Sequence, residues 1–243
     1  MRIPKDSFLL TTPIAHRGAF DENAGIPENS ISAFERAIAL GYAIETDVRT
    51  TKDGALVLFH DAELRRMTGQ DGIVRKTTLS ELKELSLGGG KEKIPTFSEF
   101  LELVNGKTPL LIEIKDVPRK SPVKEVLRAL EGYRGEFALQ SFHPLYVNEI
   151  RKRAPHILRG QLGCGSEHFS PRNYFLKQMP LHALTKPDFI SYDVRALPSP
   201  RVAALREEGT PVLGWTVRSE EERERIRPYT DNIIFEKITP PRS

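Results

Sequence analysis

Short apolar runs alternate with longer amphipathic stretches along most of this 243-residue chain. The apolar runs predict strands at 14–16, 43–48, 56–60, 110–115, 137–141, 158–162, 189–193, 212–217 and 233–235. Between them apolar residues recur at helical spacing: Ile31, Phe34 and Ile38; Leu82 and Leu85; Phe97, Phe100 and Leu101; Val126, Leu127 and Leu130. Later helices are predicted over 147–153, 202–207 and 220–227. Strand–helix alternation implies a parallel sheet, and about eight repeats favour a closed α/β barrel over an open sheet. A barrel of that kind takes about 250 residues, so 1–243 reads as one domain. The segment 62–93 breaks the rhythm with a second hydrophobic pattern, a polar turn at 69–72 and the run Gly88-Gly89-Gly90. It reads as a small insertion in a strand–helix connection, near the barrel mouth where such loops carry function. The triple glycine follows no clear strand and precedes no Gly-Lys-Ser/Thr, so it reads as a flexible connector rather than a phosphate cradle.

Several strands carry charge where a fully buried strand should carry none. In Ile44-Glu45-Thr46-Asp47-Val48 the two carboxylates are two residues apart and share a face, with Ile44 and Val48 opposite. Leu111-Ile112-Glu113-Ile114-Lys115 repeats the pattern, pairing Glu113 with Lys115. In a barrel the aliphatic faces pack under the outer helices and the charged faces converge inside. Three carboxylates brought together repel unless a cation neutralises them, and an oxygen-only set suits Mg²⁺ or Ca²⁺ better than zinc. The competing reading is solvent-exposed strand ends paired with local arginines.

His16-Arg17-Gly18 ends the first predicted strand and His60-Asp61 the third. Imidazole titrates near neutrality and suits proton transfer in phosphodiester cleavage, which needs a base for the attacking oxygen and an acid for the leaving alkoxide. Arg17 and Lys115 could hold non-bridging phosphate oxygens, and Gly18 would permit close backbone approach. A lone strand-end histidine is more often structural; two beside a carboxylate cluster reverse that reading.

Composition adds exclusions. At 39% apolar, 28% charged and a formal charge of +3, the chain reads as an ordinary globular protein without a nucleic-acid footprint. The single Cys164 excludes an internal disulfide framework. The first residues lack a signal-peptide core, and no stretch reaches the roughly 20 apolar residues of a membrane helix. A cytoplasmic location without a membrane anchor is the expectation.

The ordered set His16-Arg17-Gly18, Pro27-Glu28-Asn29-Ser30, Ala33-Phe34, Glu45-Thr46-Asp47-Val48, Thr51-Lys52-Asp53-Gly54, His60-Asp61, Ile94-Pro95-Thr96, Glu113-Ile114-Lys115, Ser141-Phe142 and Trp215-Thr216-Val217 resembles the glycerophosphodiester phosphodiesterases. The resemblance runs from about residue 14 to 234. It implies a TIM (β/α)8 barrel with a small insertion after the second strand, one divalent cation on Glu45, Asp47 and Glu113, and catalytic histidines at His16 and His60. It also implies Arg17 and Lys115 at the phosphate, with Glu28 at the pocket. Cleavage of glycerophosphodiesters such as glycerophosphocholine to glycerol 3-phosphate and an alcohol is the implied activity. The tail departs from the family pattern at Asn232 and Phe235-Glu236.

Other residues have plainer readings. Asn29 is a candidate cap for the helix beginning near Ser30. Trp215 reads either as core or as a wall for the glycerol. His143, before Pro144, reads as a cap or surface residue, and His156, His168 and His182 as surface residues. Cys164 reads as a small strand-end residue, and 220–225 as a solvated helix with acids in its first turn. Two alternatives compete with the leading function. A lysophospholipase D-like head-group phosphodiesterase would need an apolar rim that 62–93 does not supply. A non-catalytic phosphodiester binder would not need the intact set of candidate residues.

Overall fold

The computed structural model describes residues 3–115, 120–165 and 171–241. Among them nine strands form: β1 Ile14–Ala15, β2 Ala43–Thr50, β3 Leu56–Leu58, β4 Leu110–Ile114, β5 Phe137–Ser141, β6 Leu158–Gly163, β7 Phe189–Asp193, β8 Val212–Val217 and β9 Asn232–Phe235. Each falls where the apolar pattern places a strand. Their order in the sheet is β1-β9-β8-β7-β6-β5-β4-β2-β3, with β1 also paired to β2. Eight strands therefore close a ring, a (β/α)8 barrel, and β3 is appended outside it.

The appended strand corrects the reading of 56–60 as one more member of the parallel alternation. β3 runs antiparallel to β2, with Val48, Arg49 and Thr50 facing Leu58, Val57 and Leu56. The cause is the connection, which is too short for the dozen or more residues a parallel crossover needs. Thr51 and Asp53 bond to each other, and Gly54 takes φ 87° to turn the chain back.

The chain comprises two compact units, residues 15–137 and residues 1–14 with 138–243. In the first, β2 and β4 pair in parallel with Asp47 opposite Glu113. Residues 43–48 of β2 and all of β4 are buried, as expected for a sheet covered on both faces. The helices Ile31–Leu40 and Phe97–Val104 meet through Phe34 and Phe100, whose ring centroids are 4.5 Å apart. Thr96 and Glu99 form a capping box at the start of the second helix.

The 62–93 segment is ordered around its own hydrophobic cluster. Leu64, Val74, Leu82 and Leu87 pack with Val57, Phe59 and Ile94, and Met67, Leu79 and Leu85 rest against them. Asp53 accepts the Leu79 N–H, tying the turn after β2 to the helix Leu79–Glu84. The triple glycine is a hydrogen-bonded turn. Gly88 and Gly89 are left-handed, the Gly88 N–H donates to Met67 O at 2.7 Å, and the Gly90 N–H donates to Leu87 O at 3.0 Å. Those two amides are satisfied within the chain and have no need of an anion.

In the second unit β6, β7, β8 and β9 pair in parallel. Gly160 lies where an added Cβ would meet the Phe189 ring at 2.2 Å, so only glycine fits between β6 and β7. The pattern missed the one-turn helix Phe8–Thr11. Asn232 Nδ2 holds it by donating to the carbonyls of Phe8, Leu9 and Thr12 at 3.3, 3.1 and 2.7 Å. Asn232 and the adjoining departure Phe235-Glu236 thus have structural partners: Phe235 is buried and Glu236 pairs with Arg218 at 2.7 Å. His143 sits at the N-cap position of Pro144–Arg153 without a side-chain cap bond, and its ring stacks on Tyr146 at 4.3 Å. His156 is exposed, but His182 is half-buried rather than a surface residue, and His168 lies outside the described residues. Cys164 is half-buried just beyond β6. The helix Glu220–Ile226 opens on Ser219 as its cap with Glu220, Glu221 and Glu222 in the first turn.

Candidate active site

Period-two alternation puts Glu45 and Asp47 on one face of β2, and the parallel register sets Glu113 of β4 directly beside Asp47. Each residue offers one oxygen, and these atoms lie within 4.8 Å of one another. The cluster is out of water: Glu45, Asp47 and Glu113 are 1%, 0% and 5% exposed. Lys115, just past β4, places Nζ 2.8 Å from both Asp47 Oδ1 and Glu113 Oε1.

Titration follows from this crowding. Burial opposes ionisation of Asp47, but the positive charges of Lys115, His60, Arg17 and His16 outweigh it and hold the carboxyl well below the usual carboxylate range. Glu45 has the opposite balance. Burial, then the negative charges of Asp47 and Glu113, push it well above that range. Burial also raises Glu113, against the pull of Lys115. Burial likewise disfavours the charged Lys115, yet Asp47 and Glu113 raise its pKa overall. The positive charges of Lys115 and Arg17 do not offset the burial of three carboxylates, and Glu45 and Glu113 resist charging. A divalent cation would let all three ionise. Hard cations take oxygen ligands at about 2.0–2.6 Å, so oxygens this close can share one ion.

His16 follows β1, and its Nε2 lies 3.8 Å from Glu45 Oε2. The next two residues form a left-handed turn, Arg17 at φ 56° and Gly18 at φ 80°. A Cβ on Gly18 would stand 3.0 Å from Ala33, so the turn packs directly onto the following helix. It is pinned to β2 by Arg17 N–H donating to Glu45 Oε2 at 3.0 Å and Gly18 N–H to Glu45 O at 3.2 Å. The Arg17 guanidinium bonds Glu28 Oε1 at 2.9 Å, with its Nε 3.6 Å from Asp47 Oδ2.

His60 comes from the residues after β3, on the hairpin and not on a barrel strand. Phe59 N–H donates to Asp47 O, which seats the segment beside the carboxylates. Burial pushes the His60 imidazole down to about 4. Its Nδ1 lies 2.7 Å from Asp61 Oδ1, a carboxylate acceptor that favours the Nδ1–H tautomer and leaves Nε2 as the accepting nitrogen.

Asn29 does not cap the helix at residue 31; Ser30 does, accepting the Ala33 N–H at 3.2 Å. Asn29 takes φ 52° and turns inward, donating Nδ2–H to Asp47 Oδ2 at 2.9 Å and accepting Thr46 Oγ–H at 2.7 Å. An asparagine before a helix is a cap signal in sequence, and the neighbouring serine competed for that place and took it. Arg66 also escaped the sequence reading, having no motif to mark it. It bonds both Glu28 and Asp61. Trp215 stands on β8 in the other unit, half-buried, its ring edge-on to Phe142 with centroids 5.6 Å apart. Its buried Nε1 has no partner among the described residues. The structure thus brings together Glu45, Asp47, Glu113, Lys115, His16, Arg17, Glu28 and His60. Among the described residues no helix is long and apolar enough to cross a membrane.

The sequence profile of the Glycerophosphoryl diester phosphodiesterase family matches residues 16–235. A glycerophosphodiester phosphodiesterase of Caldanaerobacter subterraneus subsp. tengcongensis is 34% identical, over 93% of this chain and 94% of the relative. Among solved structures, a phosphodiesterase of Oleispira antarctica in complex with the product sn-glycerol-3-phosphate aligns with a TM-score of 0.79 at 24% identity, covering 93% of each chain. A glycerophosphodiester phosphodiesterase of Thermotoga maritima aligns with a TM-score of 0.72 at 28% identity, covering 92% of this chain and 94% of that one. With its barrel and a profile match reaching from His16 to Phe235, the chain belongs to the glycerophosphoryl diester phosphodiesterase family, enzymes that hydrolyse glycerophosphodiesters.

Proposed function

We propose that this chain hydrolyses glycerophosphodiesters such as glycerophosphocholine to glycerol 3-phosphate and the head-group alcohol, with a divalent cation, Mg²⁺ or Ca²⁺. The observation that carries the reading is the buried carboxylate set Glu45, Asp47 and Glu113, with His16 Nε2 3.8 Å from Glu45 and His60 next to Phe59, whose N–H bonds the Asp47 carbonyl. The three carboxylates would hold the cation, which when bound supplies Lewis-acid stabilisation of charge growing on the phosphate. Arg17 and Lys115 bind non-bridging oxygens, and Glu28 holds the Arg17 guanidinium in place. One of His16 and His60 takes the proton of the attacking hydroxyl as the new P–O bond forms; water gives glycerol 3-phosphate directly, whereas the substrate's own 2-hydroxyl gives a cyclic phosphate that water then opens to glycerol 3-phosphate. The other gives a proton to the departing alkoxide. A cytoplasmic location fits the single cysteine.

The test is a substrate panel with and without each cation. Glycerol 3-phosphate should appear from glycerophosphocholine, vanish with EDTA and return with Mg²⁺ or Ca²⁺. His16→Ala and His60→Ala should each lower kcat about 10²–10⁴-fold, the usual contribution of a positioned acid or base. Full activity in either variant refutes the assigned roles. Preference for micellar lysolipid over the soluble diester would instead indicate a lysophospholipase D-like enzyme.

A further inference from the structure

We propose that Arg66, supplied by the 62–93 segment, is a positioning residue that fixes His60 and Arg17 at the same time. The assignment rests on the functional reading above for what those two residues do, and on geometry alone for how they are held. The Arg66 guanidinium donates Nε–H to Asp61 Oδ2 at 2.5 Å, Nη2–H to Glu28 Oε1 at 2.6 Å and Nη1–H to Glu28 Oε2 at 3.0 Å. Each carboxylate then reaches a candidate site residue. Asp61 Oδ1 lies 2.7 Å from His60 Nδ1, and Glu28 Oε1 accepts from Arg17 Nη1 at 2.9 Å. The result is one chain of charge-assisted bonds, His60–Asp61–Arg66–Glu28–Arg17, with Arg66 at its centre.

The arrangement needs an arginine. Only a planar fork can make a bidentate bond to Glu28 and still aim Nε at a second carboxylate; a lysine ammonium is a point charge that must choose. The backbone beneath is fixed as well. Arg66 lies in the short helix Arg65–Thr68, flanked by Leu64 and Met67, which both pack in the segment's hydrophobic cluster. Its neighbour Arg65 makes the contrast: it pairs with Asp71 at 2.6 Å between two exposed side chains. Glu28, by comparison, is buried. Packing of the 62–93 segment is thereby converted into the orientation of an imidazole and a guanidinium.

The experiment combines kinetics on glycerophosphocholine with ¹⁵N NMR of the histidine rings, using the full chain. Arg66→Met is expected to lower kcat/KM about 10–100-fold, the usual effect of removing a group that orients a site residue. His60 should lose its fixed Nδ1–H signature. Asp61→Asn should show a comparable loss, and adding it to Arg66→Met should cost less than about 3-fold more, because both act along one path. Arg66→Lys keeps the charge without the fork and should recover only part of the activity; it carries the test should the methionine variant fail to fold. Activity of Arg66→Met within about 3-fold of the parent overturns the proposal. So does a multiplicative loss with Asp61→Asn accompanied by an unchanged His60 spectrum, which would mean a merely structural arginine. A parent protein inactive with every cation overturns the functional reading instead, and the His60 spectrum of Arg66→Met still decides whether Arg66 fixes that ring.

Discussion

Asn29→Ala probes the buried polar framework of the site without touching a charged group. The substitution removes the bond to the Asp47 carboxylate and the one from the Thr46 hydroxyl, and leaves a residue with φ 52° to be adopted by alanine. A hydrogen bond to a charged group contributes about 1.5–3 kcal/mol and a neutral one about 1 kcal/mol. Alanine in the left-handed region costs about 1 kcal/mol that asparagine largely avoids. The total is about 4 kcal/mol, a large share of the 5–15 kcal/mol typical of a folded domain. Urea denaturation in EDTA measures it, since bound cation would otherwise add its own stabilisation. Asn29→Gly separates the contributions: it loses the same bonds but accepts the backbone, so it should be about 1 kcal/mol more stable than the alanine variant. A loss below about 1 kcal/mol in Asn29→Ala would refute the view that Asn29 supports Asp47. A glycine variant less stable than the alanine variant would remove the backbone argument.

Three further outcomes follow from the same geometry. Lys115→Met should destabilise the chelated protein by about 3–5 kcal/mol, the cost of stripping a buried carboxylate pair of its partner, and added Mg²⁺ or Ca²⁺ should raise the variant's Tm more than the parent's. An equal cation effect in both would contradict a shared carboxylate site. His60, held neutral by burial with a pKa near 4 against an ordinary 6.5, binds fewer protons folded than unfolded between those values. Its contribution is therefore present above about pH 6.5 and lost as pH falls toward 4, by on the order of 2 kcal/mol after solvent screening. In EDTA, His60→Gln should flatten the stability–pH curve in that window, and an unchanged slope would count against it. Asn232→Ala should lower stability by about 1–3 kcal/mol through the helix Phe8–Thr11 and leave kcat unchanged; a selective loss of turnover would point to a different role.

The sequence made the barrel legible because each strand is a short apolar run and two of them carry carboxylates at period-two spacing. Alternation fixes which side chains share a face, so Glu45, Asp47 and Glu113 could be grouped before any coordinates. It does not fix strand direction. Whether 56–60 joins the ring or folds back depends on the residues before it, where the turn around Gly54 is too short for a crossover. The helix Phe8–Thr11 was invisible because one turn has no period to read, and Pro171–Gln178 because it is largely polar. Local signals also compete: Asn29 and Ser30 both suit a cap, and only the fold shows which side chain turns inward. Arg66 was hidden for a related reason. A charge in an insertion reads as solvated surface until its partners, 5 and 38 residues away in sequence, are seen to meet it.

The appended hairpin has a consequence for how the enzyme fails. β3 is the terminal strand of the sheet order, held by β2 and by a hydrophobic cluster of its own, while His16 follows a strand of the ring. Both histidines lie in the unit 15–137, but His60 follows the terminal strand of the sheet order, the kind of place where local opening starts. Warming or mild denaturant should release the hairpin before the ring melts, so activity should disappear while most amide protons stay protected. Half-inactivation would then report the opening of residues 51–93 rather than the unfolding of the barrel.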